Sequence, residues 1–184
     1  LEGGVGYQHL SYYKFSPEML MSGNRNVKEN NLYLYFGARG SVKQYFQWEG
    51  FGKYYLAGYN RNDFSIGGKI KVSFYPISQG IHITGKIDVS QQRPAFFYNN
   101  YYSNHYVWEN DFDKTTNTSV QGKMTIPAYG MEAFFGYSLL NNNIYLDTLG
   151  NAVQNTESMS VMTAWLRKDF RLWKVHMENK ILFQ

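Results

Sequence analysis

The stretch FSIGGKIKVSF, residues 64–74, alternates apolar and polar side chains without a slip. Phe64, Ile66, Gly68, Ile70, Val72 and Phe74 share one parity, and Ser65, Gly67, Lys69, Lys71 and Ser73 share the other. Successive side chains of a strand point to opposite faces, so the stretch predicts a strand with one apolar face and one wet, basic face. The same pattern recurs on either side. Leu32, Leu34, Phe36, Ala38 and Val42 alternate with Tyr33, Tyr35, Arg39 and Ser41. Ile81, Ile83, Ile87 and Val89 oppose His82, Thr84, Lys86, Asp88 and Ser90, and Val120, Met124 and Ile126 oppose Ser119, Gln121, Lys123 and Thr125. Many such segments in a row describe a sheet with oil on one side and water on the other, which is the logic of a transmembrane β-barrel.

Turn-forming residues at 58–62 (GYNRN), 76–80, 127–128 and 141–143 separate the segments. Residues 44–57 read as a strand that is aromatic on both parities, which leaves its register open. Residues 103–112 read as a returning strand, 144–147 as a short strand and 150–156 as a loop. Residues 158–168 and 172–183 read as a last hairpin turning around 168–171. Residues 1–31 read as an irregular segment or loop, with one strand near His9 to Phe15, and residues 32–184 as the strands of a single domain. The sum is about ten strands joined by short turns, for which antiparallel meander pairing is the natural choice.

Composition narrows the class. Among 184 residues stand 17 Tyr, 13 Phe and 4 Trp, an aromatic load that suits interfacial girdles between hydrocarbon and water. The mean hydropathy of −0.47 does not argue against a barrel, because half of every strand faces water. No run of about 18 apolar residues exists, which excludes a helical membrane protein. The absence of Cys excludes a disulfide scaffold and a thiolate metal site. The formal charge of +4 is scattered, so no nucleic-acid surface is expected. No nucleophile elbow, P-loop or dinucleotide fingerprint is present, and His9, His82, His105 and His176 lack ligand spacing. The chain is therefore read as no enzyme, with neither metal nor cofactor.

Four longer motifs carry a resemblance: YYLAGYNRNDFSIGG (54–68), FFYNNYYSNHYVWENDF (96–112), YSLLNNNIYLDT (137–148) and LRKDFRLWKVHMENKILFQ (166–184). In residues and order they resemble the outer-membrane β-barrel porins of Bacteroidetes. The resemblance implies an all-β, antiparallel transmembrane barrel in a Gram-negative outer membrane. Members of that family are longer, so it also implies that these residues are part of a larger barrel.

Two sets of residues stand out as candidate sites. If the apolar parity faces lipid, Arg39, Lys69, Lys71, His82, Lys86 and Lys123 line a lumen, because a charge on the lipid face costs roughly 2–4 kcal/mol at mid-bilayer. Fixed positive charge in a confined pore would favour anions. Phe96, Phe97, Tyr98, Tyr101, Tyr102 and Trp108 suit either a membrane-interface girdle or a stacking platform for sugars, the girdle being the more ordinary. The partners implied are outer-membrane lipid, small hydrophilic solutes and other outer-membrane proteins. The function expected is passive diffusion of small hydrophilic solutes. Its alternatives are a non-conducting structural or accessory subunit of an outer-membrane assembly, and a soluble, carbohydrate-binding β-sandwich.

Overall fold

The computed structural model describes residues 1–13, 26–103, 105–173 and 175–184. The alternating segments become strands β1 (Glu2–Tyr13), β2 (Asn26–Val42), β3 (Phe46–Ala57), β4 (Phe64–Phe74) and β5 (Ile81–Gln92). An excursion follows, holding a helical turn α1 (Phe96–Asn99) and a small hairpin of β6 (Asn100–Tyr102) and β7 (Val107–Glu109). Strands β8 (Thr115–Ile126) and β9 (Met131–Asn141) resume the sheet. A second small hairpin, β10 (Asn143–Leu146) with β11 (Ala152–Asn155), precedes β12 (Met159–Leu172) and β13 (Val175–Phe183).

The main sheet has nine strands in the order β1-β2-β3-β4-β5-β8-β9-β12-β13, every pair antiparallel. It is open, with β1 and β13 at its edges. Its connections are of two kinds. At one end lie tight turns at 43–45, 75–80, 127–130 and Trp173; at the other lie the 58–63 turn, the 93–114 excursion and the 142–158 segment. No described helix is long and apolar enough to cross a membrane.

Register places the apolar parity of every strand on one face. Ile70 stands opposite Trp48 and Gly85, Ile87 opposite Gly68 and Val120, and Tyr137 opposite Val120 and Met162. A one-residue slip would turn a whole strand's apolar set to the wrong side, so this agreement fixes the register across the sheet. The 11 residues of β4 cover roughly 33 Å of strand. At a tilt near 40° that is a band about 25 Å tall, the height of a barrel's apolar belt.

Four details differ from the sequence reading. The stretch read as irregular holds β1 and the first six residues of β2, 26–31; the part of it at 14–25 lies outside the described residues. Its glycines read as loop, yet a Cβ at Gly6 would stand 2.2 Å from the Tyr33 ring and one at Gly4 2.7 Å from the Tyr35 hydroxyl. Aromatic side chains of β2 lie over these strand glycines, replacing the side-chain packing they lack. Residues 103–112 contribute only the three-residue β7, tied to β6 through a Tyr101–Trp108 stack at 4.6 Å. The loop read at 150–156 contains β11. The last hairpin turns at Trp173, whose φ of +55° marks the turn, so residues 168–171 remain in the sheet with Asp169 opposite Glu178.

Candidate functional site

Burial in this sheet runs opposite to that of a soluble domain. The apolar parity is the exposed one: Ile66, Ile70 and Ile87 are each 50% accessible, and Phe36, Val120, Phe135 and Leu166 resemble them. The polar parity is the covered one, with Ser73 and Ser119 buried. Among the described residues Phe96, Ala152 and Pro94 are the buried apolar side chains, and all three lie in the long connections rather than in the nine-stranded sheet. A water-soluble sheet of this size would hide its isoleucines in a core; this one displays them.

All six basic candidates fall on the polar face, where most are held by neighbours. Lys69 Nζ lies 3.2 Å from Glu49, which also stands opposite Arg39. Lys86 pairs with Asp88 at 2.7 Å, and Lys123 with Glu132 at 3.0 Å. His82 Nδ1 is 2.8 Å from the Ser73 hydroxyl and its ring meets Tyr75 edge-on. Lys71 sits between Gln47 and Thr84 in register. The ladder continues where the sequence reading named no residue. Arg167 reaches Glu132, Asp169 and Glu178 at 3.1–3.6 Å, and Lys180 lies over the Trp165 ring, itself stacked on Phe134. The face is thus a row of ion pairs, some across strands and some along them, with aromatic rings between them. The signal lies in the charged residues 167, 169, 178 and 180, which the sequence alone assigns to turn and strand without a face.

The aromatic candidates sit at the long-loop end. Phe96 is 5% exposed, stacked on Tyr12 at 4.3 Å and 6.4 Å from Tyr59; Phe97 meets Tyr12 edge-on. Tyr101 and Trp108 stack within the β6–β7 hairpin, and the Tyr102 hydroxyl donates to Glu109. Tyr98 is 41% exposed. A different aromatic set marks the opposite end: each tight turn carries one exposed ring, Tyr45, Tyr75, Tyr129 or Trp173. Lys168, on the apolar parity, donates there to the Tyr129 carbonyl, keeping its charge at the border of the band as a snorkelling lysine does.

A polar cluster joins the long connections. The Asp63 carboxylate is almost fully buried and accepts from Asn60 Nδ2 and the Arg93 backbone N–H, each at 2.8 Å. Lys114 Nζ completes it at 2.7 Å. Asn31, fully buried, donates to Asn60 Oδ1 and accepts from the Asn60 N–H. Tyr59 donates its hydroxyl to the Pro94 carbonyl, and burial raises its pKa above the ordinary tyrosine range. Asp147, in the β10–β11 turn, accepts backbone N–H groups from Asn151 and Leu149, which lowers its pKa. Neither Asp63 nor Asn31 stands out in the sequence, because their burial is created by segments far along the chain. Among the described residues no group of His, Asp and Glu could hold a metal.

An antiparallel meander with an exposed apolar belt on one face, charged residues on the other and short turns opposite long loops has the features of the membrane β-barrel class. Over residues 2–184 the chain matches the family described as "Putative porin", and it belongs to that family. No curated protein and no solved structure matches it significantly.

Proposed function

We propose that the nine strands are wall of an outer-membrane porin through which small hydrophilic solutes diffuse passively. The inverted burial carries the reading: half-exposed Ile66, Ile70, Ile83 and Ile87 on one face, with Lys, Glu, Ser and Thr on the other. In hydrocarbon every backbone group must be paired, so the edges β1 and β13 find partners in the closed ring. The apolar belt then meets lipid, and the polar face, with Arg39, Lys69, Lys71, His82, Lys86 and Lys123, lines a somewhat basic lumen. Ion pairing moderates that charge. Lys69, Lys86 and Lys123 have carboxylates within 3.2 Å and Arg39 stands opposite Glu49, so any anion preference is modest. The rings at the tight turns, Tyr45, Tyr75, Tyr129 and Trp173, suit the interface on the periplasmic side, because barrels place short turns there. The loop aromatics Phe97 and Tyr98 belong to the opposite, outer side.

One observation favours a second reading. The excursion after β5 packs against the polar-face side chain Tyr12, as a plug would in a barrel that conducts nothing and serves as an accessory subunit. Single-channel recording of the full-length protein in a planar bilayer separates the two. Stepwise, ohmic conductance is expected of the porin; a folded, inserted protein that passes no current would establish the accessory role instead.

A further inference from the structure

The chain leaves β5 at Gln92 and, only four residues later, Phe96 is stacked on Tyr12 of β1. In sheet order β1 and β5 are separated by β2, β3 and β4, four spacings or roughly 19 Å along a flat sheet. Tyr12 shares its parity with Glu2, Gly4 and Gly6, whose partners Gly37, Tyr35 and Tyr33 belong to the polar face. Residues 93–99 therefore lie across the polar face at the long-loop end, not outward from it.

Their attachment is too extensive for a loose lid. Phe96 is buried among the rings of Tyr12, Tyr59 and Phe97. Arg93 donates its N–H to Asp63 and a guanidinium N–H to the Tyr59 carbonyl, while its side chain stacks on the Tyr59 ring at 4.8 Å. Pro94 accepts the Tyr59 hydroxyl, and buried Asn99 donates to the same hydroxyl oxygen. Beneath them Lys53, Tyr55, Ser65 and Gln92 of the polar face line a cavity of about 180 Å³.

We propose that residues 93–99 form a fixed constriction over the polar face of β1–β5, clamped by Phe96 against Tyr12 and Tyr59, which sets the size limit of the solute path at this end. Solutes that pass are turned toward the polar face of β9, β12 and β13, where Glu132, Arg167 and Glu178 alternate in charge. The inference rests on the porin reading, and its test keeps the two apart.

The test is single-channel conductance and exclusion of neutral sugars of graded size, on the full-length protein and its Phe96→Ala and Tyr12→Ala variants. Heat-modifiable migration in gels confirms that each variant is folded. Release of the clamp should raise conductance about twofold, since current grows with the open cross-section, and should admit larger sugars. A third variant leaves the clamp intact: Tyr98→Cys, at an exposed site on the same segment, made in a full-length background freed of all other thiols. A bulky hydrophilic thiol reagent should then cut its conductance. Folded alanine variants that conduct and exclude as the parent does, or a labelled Tyr98→Cys channel with unchanged current, would overturn the constriction alone. A parent that passes no current would sink the porin reading and the constriction with it.

Discussion

Ile87 shows how one residue reports the solvent on its side of the sheet. Its neighbours across the strands are Gly68 and Val120, and half its surface is open. In water that exposure would be a wasted isoleucine; in lipid it is the correct solvent. Ile87→Lys is expected to destabilise the folded barrel by about 2–4 kcal/mol, and Ser138→Lys, on the polar parity between Ser119 and Val161, by less than about 1 kcal/mol. Equilibrium refolding into phospholipid vesicles with urea measures both, and equal costs would contradict the assignment of faces. The same residue shows why this much was legible from sequence. A two-residue period is local, so parity can be counted along the chain without knowing which strands meet. Phe96 and Asp63 are the opposite case. Phe96 reads as one more ring in an aromatic run, and Asp63 as the end of a polar turn, until Tyr12, Arg93 and Lys114 come round from elsewhere to bury them.

At the scale of elements, the regular strands were readable and the excursions were not. β4, β5 and β8 follow their alternation almost to the residue. The 93–114 segment lacks any period because its geometry is set by side-chain contacts with β1 and the 58–63 turn. Those contacts make predictions of their own. Lys114→Met would leave the Asp63 carboxylate buried without its cation, a loss of about 3–5 kcal/mol, because an uncompensated buried charge costs more than the pair contributed. The double variant Asp63→Asn, Lys114→Met should recover much of it, and urea melts of the four proteins close that cycle. Tyr59 gives the cluster a pH dependence. Its pKa is raised in the fold by burial, so its contribution is fully present below the ordinary tyrosine pKa of about 10 and is lost as pH rises through the folded value. The stability advantage of the parent over Tyr59→Phe should be constant up to about pH 10 and shrink above it. Protease cleavage of the excursion as a function of pH measures that advantage; one that grew with pH would refute it.

For the whole molecule, the family match and the inverted burial point the same way from independent grounds. The central claim is physical: one face of the sheet meets lipid and the other meets water. The 184 residues contain no Cys, so single cysteines can be placed along β5 without competing thiols from this region. The most direct measurement puts Cys in turn at Ile83, Thr84, Lys86, Ile87, Asp88 and Val89 in the full-length protein, reconstituted in lipid. Each variant is then reacted with a membrane-impermeant thiol reagent. Labelling is expected at 84, 86 and 88 and protection at 83, 87 and 89, a strict alternation with the water on the charged side. Uniform labelling, or labelling confined to 83, 87 and 89, would contradict a lipid-facing apolar belt.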